Sequence, residues 1–257
     1  MRGRRSFNPF LAAVFGGLLL IFVAYAGRPA SAAIIYTSHL EQHALNLVYA
    51  TGSNFVSGCK SVAGGGFICG TVDIIGTQIN TSGSAGTGGG TAAGVDANGR
   101  WEVNDLIFTD VNNPGASGSI SVRANFFLDF LTTRKIQVSS GIGGIPFALN
   151  QTFYIGATTN VSTAFVTVPL NTLLTFSATA DLRVDDTNPS GNSSGTGLFE
   201  LASIPFDLPQ GYTVNSADAG ITNNRLSSAV PEPATLPLLL AGIAGLGLIG
   251  LWQRNSA

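Results

Sequence analysis

Histidine occurs twice in this 257-residue chain, cysteine twice and methionine once, and only 10% of residues are charged. Each shortage closes off a class of chemistry. The histidines, His39 and His43, flank Glu41 in an order that is not His-Glu-x-x-His, and no further ligands stand nearby. Zinc hydrolysis is therefore not indicated, and both side chains are read as solvated. No Gly-x-Ser-x-Gly elbow occurs, so a Ser-His-Asp hydrolase has no nucleophile to start from. No Gly-Lys-Ser/Thr follows the glycine-rich stretch 81–99, which excludes a phosphate cradle of that kind. No part of the central region holds a helical period over three turns. Basic clusters are missing as well. Between residues 33 and 229 there are seven cations against thirteen anions, a net charge of −6. Such a surface suits solubility and not nucleic acid.

What the chain has in quantity is glycine, 33 residues, together with many Ser, Thr and Asn. With few charges, this composition fits an exported β protein. The two ends are different. Arg2, Arg4 and Arg5 precede an apolar run at 10–24, and Ala30-Ser31-Ala32 supplies the small residues of a signal-peptidase site. Residues 1–32 are thus expected to form a signal helix, cut between Ala32 and Ala33. An earlier cut after Ala26 competes with it. Arg4 and Arg5 partly match a twin-arginine signal, but ordinary secretion is the preferred route.

At the other end, Val230-Pro231-Glu232-Pro233 is followed by an apolar run at 236–252 without a charge. As a helix this run spans about 25 Å, enough for a thin hydrocarbon core. Trp252 stands where an interfacial aromatic belongs, and Arg254 follows on the side that positive charge prefers. Pro-Glu-Pro, an apolar helix and a basic end together resemble the PEP-CTERM sorting signal of Gram-negative bacteria. That family commonly ends in several arginines, and here there is one. The resemblance implies an exosortase-type membrane protease as partner, with Val230, Pro231, Glu232 and Pro233 as its recognition motif. It also implies an inner-membrane anchor in the precursor and delivery to the cell surface or extracellular matrix. A plain tail anchor is the competing reading.

The only cysteines, Cys59 and Cys69, enclose Gly64, Gly65 and Gly66, which let the chain reverse. In an oxidising compartment they are expected to form a disulfide that pins a local hairpin. Strands are expected from 45–49, 67–79, 100–109, 119–128, 152–167 and 198–208. The clearest lies at 174–185, where Leu174, Phe176, Ala178, Ala180, Leu182 and Val184 alternate with polar residues. The stretch 81–99 reads as a flexible loop. The predicted architecture is an all-β antiparallel sandwich, jelly-roll-like, over 33–212, with a polar linker at 213–229. The sorting signal then covers 230–257.

In the turn after 185, Asp186, Asn188 and Ser190 fall at calcium-loop positions, but Gly197 stands where the closing Glu belongs. A solvated turn is the preferred reading, and no cofactor is expected. The functional expectation is a non-enzymatic surface or matrix protein associated with exopolysaccharide. A carbohydrate-binding module that uses Trp101, Tyr154 and Tyr212 is the alternative. A glycosidase would need two facing carboxylates, which no sequence spacing here identifies.

Overall fold

The computed structural model describes residues 34–42, 47–62, 65–86, 93–186 and 192–227. The expected signal helix and membrane helix both lie outside these residues. The described chain forms fourteen strands: Ile35–Gln42 (β1), Leu47–Gly52 (β2), Phe55–Val62 (β3), Gly66–Ile75 (β4), Gln78–Gly86 (β5), Ala93–Asp110 (β6), Ser119–Ile142 (β7), Ile145–Ser162 (β8), Val166–Pro169 (β9), Leu174–Asp186 (β10), Asn192–Asp207 (β11), Tyr212–Asn215 (β12), Ile221–Thr222 (β13) and Arg225–Leu226 (β14). Every described pairing is antiparallel.

The main path of paired strands runs β2-β1-β6-β10-β7-β11-β5-β4-β3. It folds back on itself: β6 packs across the interior on β4 and β5, and β10 packs on β5. The result is sandwich-like, with two layers facing each other over one apolar core. The path begins and ends in β2 and β3, which are consecutive in the chain and lie close together.

One strand joins both layers. The first half of β7 pairs with β11 through residues 123–131, and its second half pairs with β10 through residues 135–142. The switch falls at a register shift between Leu131 and Lys135. There the Thr132 hydroxyl donates to the Arg183 carbonyl at 2.7 Å, and the Arg134 amide donates to Thr132 Oγ1 at 3.3 Å. Strands that pass from one sheet to another commonly do so at such irregularities.

The strand predicted at 174–185 is present as β10, and its six alternating residues are all buried. Trp101 meets Phe176 edge-on at 5.1 Å between centroids, and Phe126 stacks on Phe199 at 4.7 Å. Aromatic pairs in these geometries add about 0.5–1.5 kcal/mol each beyond the area they bury.

Three expectations require correction. The stretch 81–99 is largely strand, in β5 and β6, with 87–92 alone outside the described residues. Gly83 and Gly99 do not loosen it: they face the core, where side chains of neighbouring strands leave little room for a Cβ. A Cβ at Gly83 would lie 3.0 Å from Val95 and 3.1 Å from Val184. The first core strand is β1, through Leu40, and not 45–49; Leu47 and Val48 on β2 are exposed. The segment 213–227 is folded. β12 pairs with β6 over Tyr212–Asn215, and Val214 and Ile221 are buried.

Candidate functional site

Along β6 the inward alternation changes phase. Trp101 and Val103 face the core, and then Leu106 and Phe108 do. Two residues, Asn104 and Asp105, take up the change, opposite a register shift in β10 between Leu174 and Phe176. A bulge of this kind re-aims side chains. Asp105 meets the turn that follows β12: the Ser216 hydroxyl donates to its Oδ1 at 2.5 Å, and the Asp218 amide donates to its Oδ2 at 3.0 Å. Ser216 Oγ accepts the Ala219 amide at 3.0 Å, and Ser216 also bridges to Ile221.

This network places a second carboxylate, Asp218, beside the first. Asp218 is 8% exposed, and its Oδ2 is buried without a hydrogen-bond partner. Burial raises its pKa, and the neighbouring Asp105 charge raises it further. Asp218 lines a cleft of about 340 Å³ together with Ile34, Tyr36, Glu200, Leu226 and Ser227. Burial also raises the Tyr36 phenol, against a weaker opposing effect from the Gly76 backbone. Among the described residues the cleft lining combines the acids Asp218 and Glu200 with neutral polar and apolar groups and includes no Lys, Arg or His. Such a recess accepts a cation or hydrogen-bond donors. Ser216 is held between the Asp105 carboxylate and the Ala219 amide.

Sequence reading missed Asp105 and Asp218, which lie 113 residues apart. The phase change across Asn104–Asp105 was the one available signal.

The other predicted positions fall as follows. Cys59 and Cys69 are direct register partners across β3 and β4 and form the disulfide. Asp186 ends β10 opposite Ala93, while Asn188 and Ser190 lie outside the described residues. The adjacent Asp185 is paired with Arg183 at 3.0 Å and with Arg134 at 3.4 Å. Among the described residues no three His, Cys, Asp or Glu side chains converge as a metal set. His39 sits on β1 opposite Asn98, and His43 lies outside the described residues. Trp101 is fully buried and so is corrected from sugar platform to core residue, whereas Tyr154 on β8 is 66% exposed and Tyr212 is half-buried. Ala30, Ala32 and Ala33, the sorting residues Val230 to Pro233, and Trp252 and Arg254 lie outside the described residues.

No curated protein matches this chain. A mutant of a family 29 carbohydrate-binding module is similar at 13% identity and a TM-score of 0.17, over 65% of this chain and 92% of that one. An exo-β-1,3-galactanase from Phanerochaete chrysosporium is similar at 8% identity and a TM-score of 0.13, over 60% and 59% of the two chains. Scores at this level carry no argument about fold or ligand. The informative match is at the tail, where residues 229–255 fit the PEP-CTERM protein-sorting motif. That range includes Val230, Pro231, Glu232 and Pro233 as well as Trp252 and Arg254. The chain therefore carries a PEP-CTERM protein-sorting motif as its C-terminal tail.

Proposed function

We propose that the protein is a non-enzymatic component of the cell surface or extracellular matrix, exported by its N-terminal signal and sorted through its tail. An exosortase-type membrane protease is the processing partner, and the apolar helix holds the precursor in the inner membrane until the cut. The protein needs neither cofactor nor metal in this role. The observation that carries the reading is the sorting motif at 229–255, which begins two residues after the folded body's last described residue, Ser227. A disulfide-pinned β body suits an oxidising exterior. In this reading the body winds in a jelly-roll-like manner, with β5–β6 and β10–β11 carrying the chain between layers. Intact mass and cell fraction of the protein, compared in cells with and without exosortase, test it. Loss of the tail from the surface-released form is expected only where the protease is present; a tail that persists in both strains overturns the reading.

A carbohydrate-binding role is the second reading, favoured by the outer face of β8. There the exposed Tyr154 is flanked along the strand by polar ladders, Gln137 to Asn150 and Thr158 to Asp129. An exposed ring among amide and hydroxyl groups is a surface on which a sugar can stack. Retention on extracellular polysaccharide that Tyr154→Ala abolishes would support it, and no retention on any polymer removes it.

A further inference from the structure

We propose that the cleft lined by Asp218 and Glu200 is a binding site for a primary ammonium group on an aliphatic stem, carried by a free alkylamine or by a lysine side chain. The assignment is independent of how the protein is exported and sorted.

Two acids in one recess would not by themselves specify such a site. The second observation is the state of Asp218. It is 8% exposed, it lines the cleft, and its Oδ2 is buried without a hydrogen-bond partner. Buried carboxylates are ordinarily paired or fully hydrogen-bonded. Asp105 cannot balance it, being an acid whose own two oxygens accept the Ser216 hydroxyl and the Asp218 amide. Among the described residues Asp105, Glu200 and Asp218 form no ion pair. Arg225, the cation closest along the chain, is exposed on β14 and is not part of the cleft lining. The recess therefore carries negative charge that no described cation offsets.

The walls decide which kind of cation fits. Calcium takes about six to eight oxygen ligands, and among the described residues no three His, Cys, Asp or Glu side chains converge. Ile34, Leu201, Leu226 and the half-buried Tyr36 line the same recess. Apolar walls beside two carboxylates match a ligand that is apolar along its length and charged at its tip. A hexose would press several hydroxyls against these branched side chains and leave them without partners. An ammonium has three N–H donors and no acceptor, so it suits a pair of carboxylates. The volume of about 340 Å³ lies at the small end of the range for small-ligand sites.

Equilibrium dialysis of the full chain in nonionic detergent against radiolabelled n-pentylamine at neutral pH tests the assignment. Saturable binding at one site is expected, with a Kd on the order of 1 mM for so small a ligand. Asp218→Asn should weaken it about tenfold or more, and Glu200→Gln about threefold. n-Pentanol, the same stem without the charge, should compete about ten times more weakly or worse. Glu41→Gln, five residues along β1 from Tyr36, removes one negative charge outside the cleft and should change the affinity less than about twofold. Circular dichroism checks that D218N folds; if it does not, the Glu200→Gln and pentanol comparisons decide alone. No saturable binding, equal competition by pentanol, an affinity that survives both cleft variants, or displacement by calcium at comparable concentration overturns the proposal. Nα-acetyl-lysine-N-methylamide separates the two sources of the ammonium. Displacement of pentylamine at comparable concentration assigns the site to lysine side chains, and failure to displace assigns it to free alkylamines.

Discussion

Gly99 on β6 faces Ile79 on β5 so closely that a Cβ built on the glycine would lie 2.6 Å from the isoleucine Cγ2. Val72 on β4 would stand 2.7 Å from the same atom. The two layers are in contact here through backbone on one side and branched side chains on the other. Gly99→Ala should therefore destabilise the fold by about 1–3 kcal/mol through overpacking. In an Ile79→Ala background the same change should be less harmful, because one of the two clashing methyls is gone. Urea unfolding of the four variants measures the coupling; independent, additive effects would contradict the contact.

Trp101 is buried to 0% exposure, and its indole Nε1 has no hydrogen-bond partner. Trp101→Phe keeps an aromatic edge against Phe176 and removes the orphaned donor. The loss should be about 1 kcal/mol, against about 3–5 kcal/mol for Trp101→Ala. Denaturant midpoints rank the two, and a phenylalanine variant as damaged as the alanine one would show that the indole itself, and not the volume it fills, is what the core requires.

Asp207 accepts the Asn125 side-chain amide at 2.8 Å and Arg123 Nε at 2.5 Å. These bonds, Asn125 first and Arg123 second, hold its carboxyl below the ordinary value of 3.8. A depressed folded-state pKa contributes stability that is present above 3.8 and lost as pH falls through the folded value. Both partners are partly exposed, so the effect is modest. The unfolding midpoint of D207N should fall less steeply under acid than that of the parent protein, and parallel profiles would rule the contribution out.

Tyr49 on β2 shows the opposite sign. Burial pushes its phenol up from 10.0 to about 12, and its hydroxyl is buried without a partner. The folded state disfavours the phenolate. Stability is unaffected below pH 10.0, declines as pH rises through the window to about 12, and levels off above it. Ultraviolet titration of the parent protein against Tyr49→Phe should isolate one late-ionising phenol, and the variant should lose the alkaline decline.

The parts of the fold that were legible in the sequence are those where one face is wet. Leu174 to Val184 alternate with Thr175 to Asp185 because β10 buries one side alone. The facing cysteines were legible because the hairpin they close is local. Glycine misled the reading of 81–99. In composition Gly83 and Gly99 look like slack, yet in the folded chain they sit where side chains of neighbouring strands press close to the backbone. Leu47 and Val48 misled in the other direction, since apolar residues on a sheet's outermost strand need not be covered. The Asp105–Asp218 contact was hidden by distance along the chain. No local pattern announces that a turn after β12 will close over a bulge in β6.

A single strand, β7, is hydrogen-bonded to both layers, through β11 in its first half and β10 in its second. The body accordingly has no seam. A fragment ending anywhere near Thr132 would strip each layer of a neighbour at once, leaving no autonomous half to survive. Proteolytic trimming must then begin from the ends, and an intact centre is either wholly present or wholly lost.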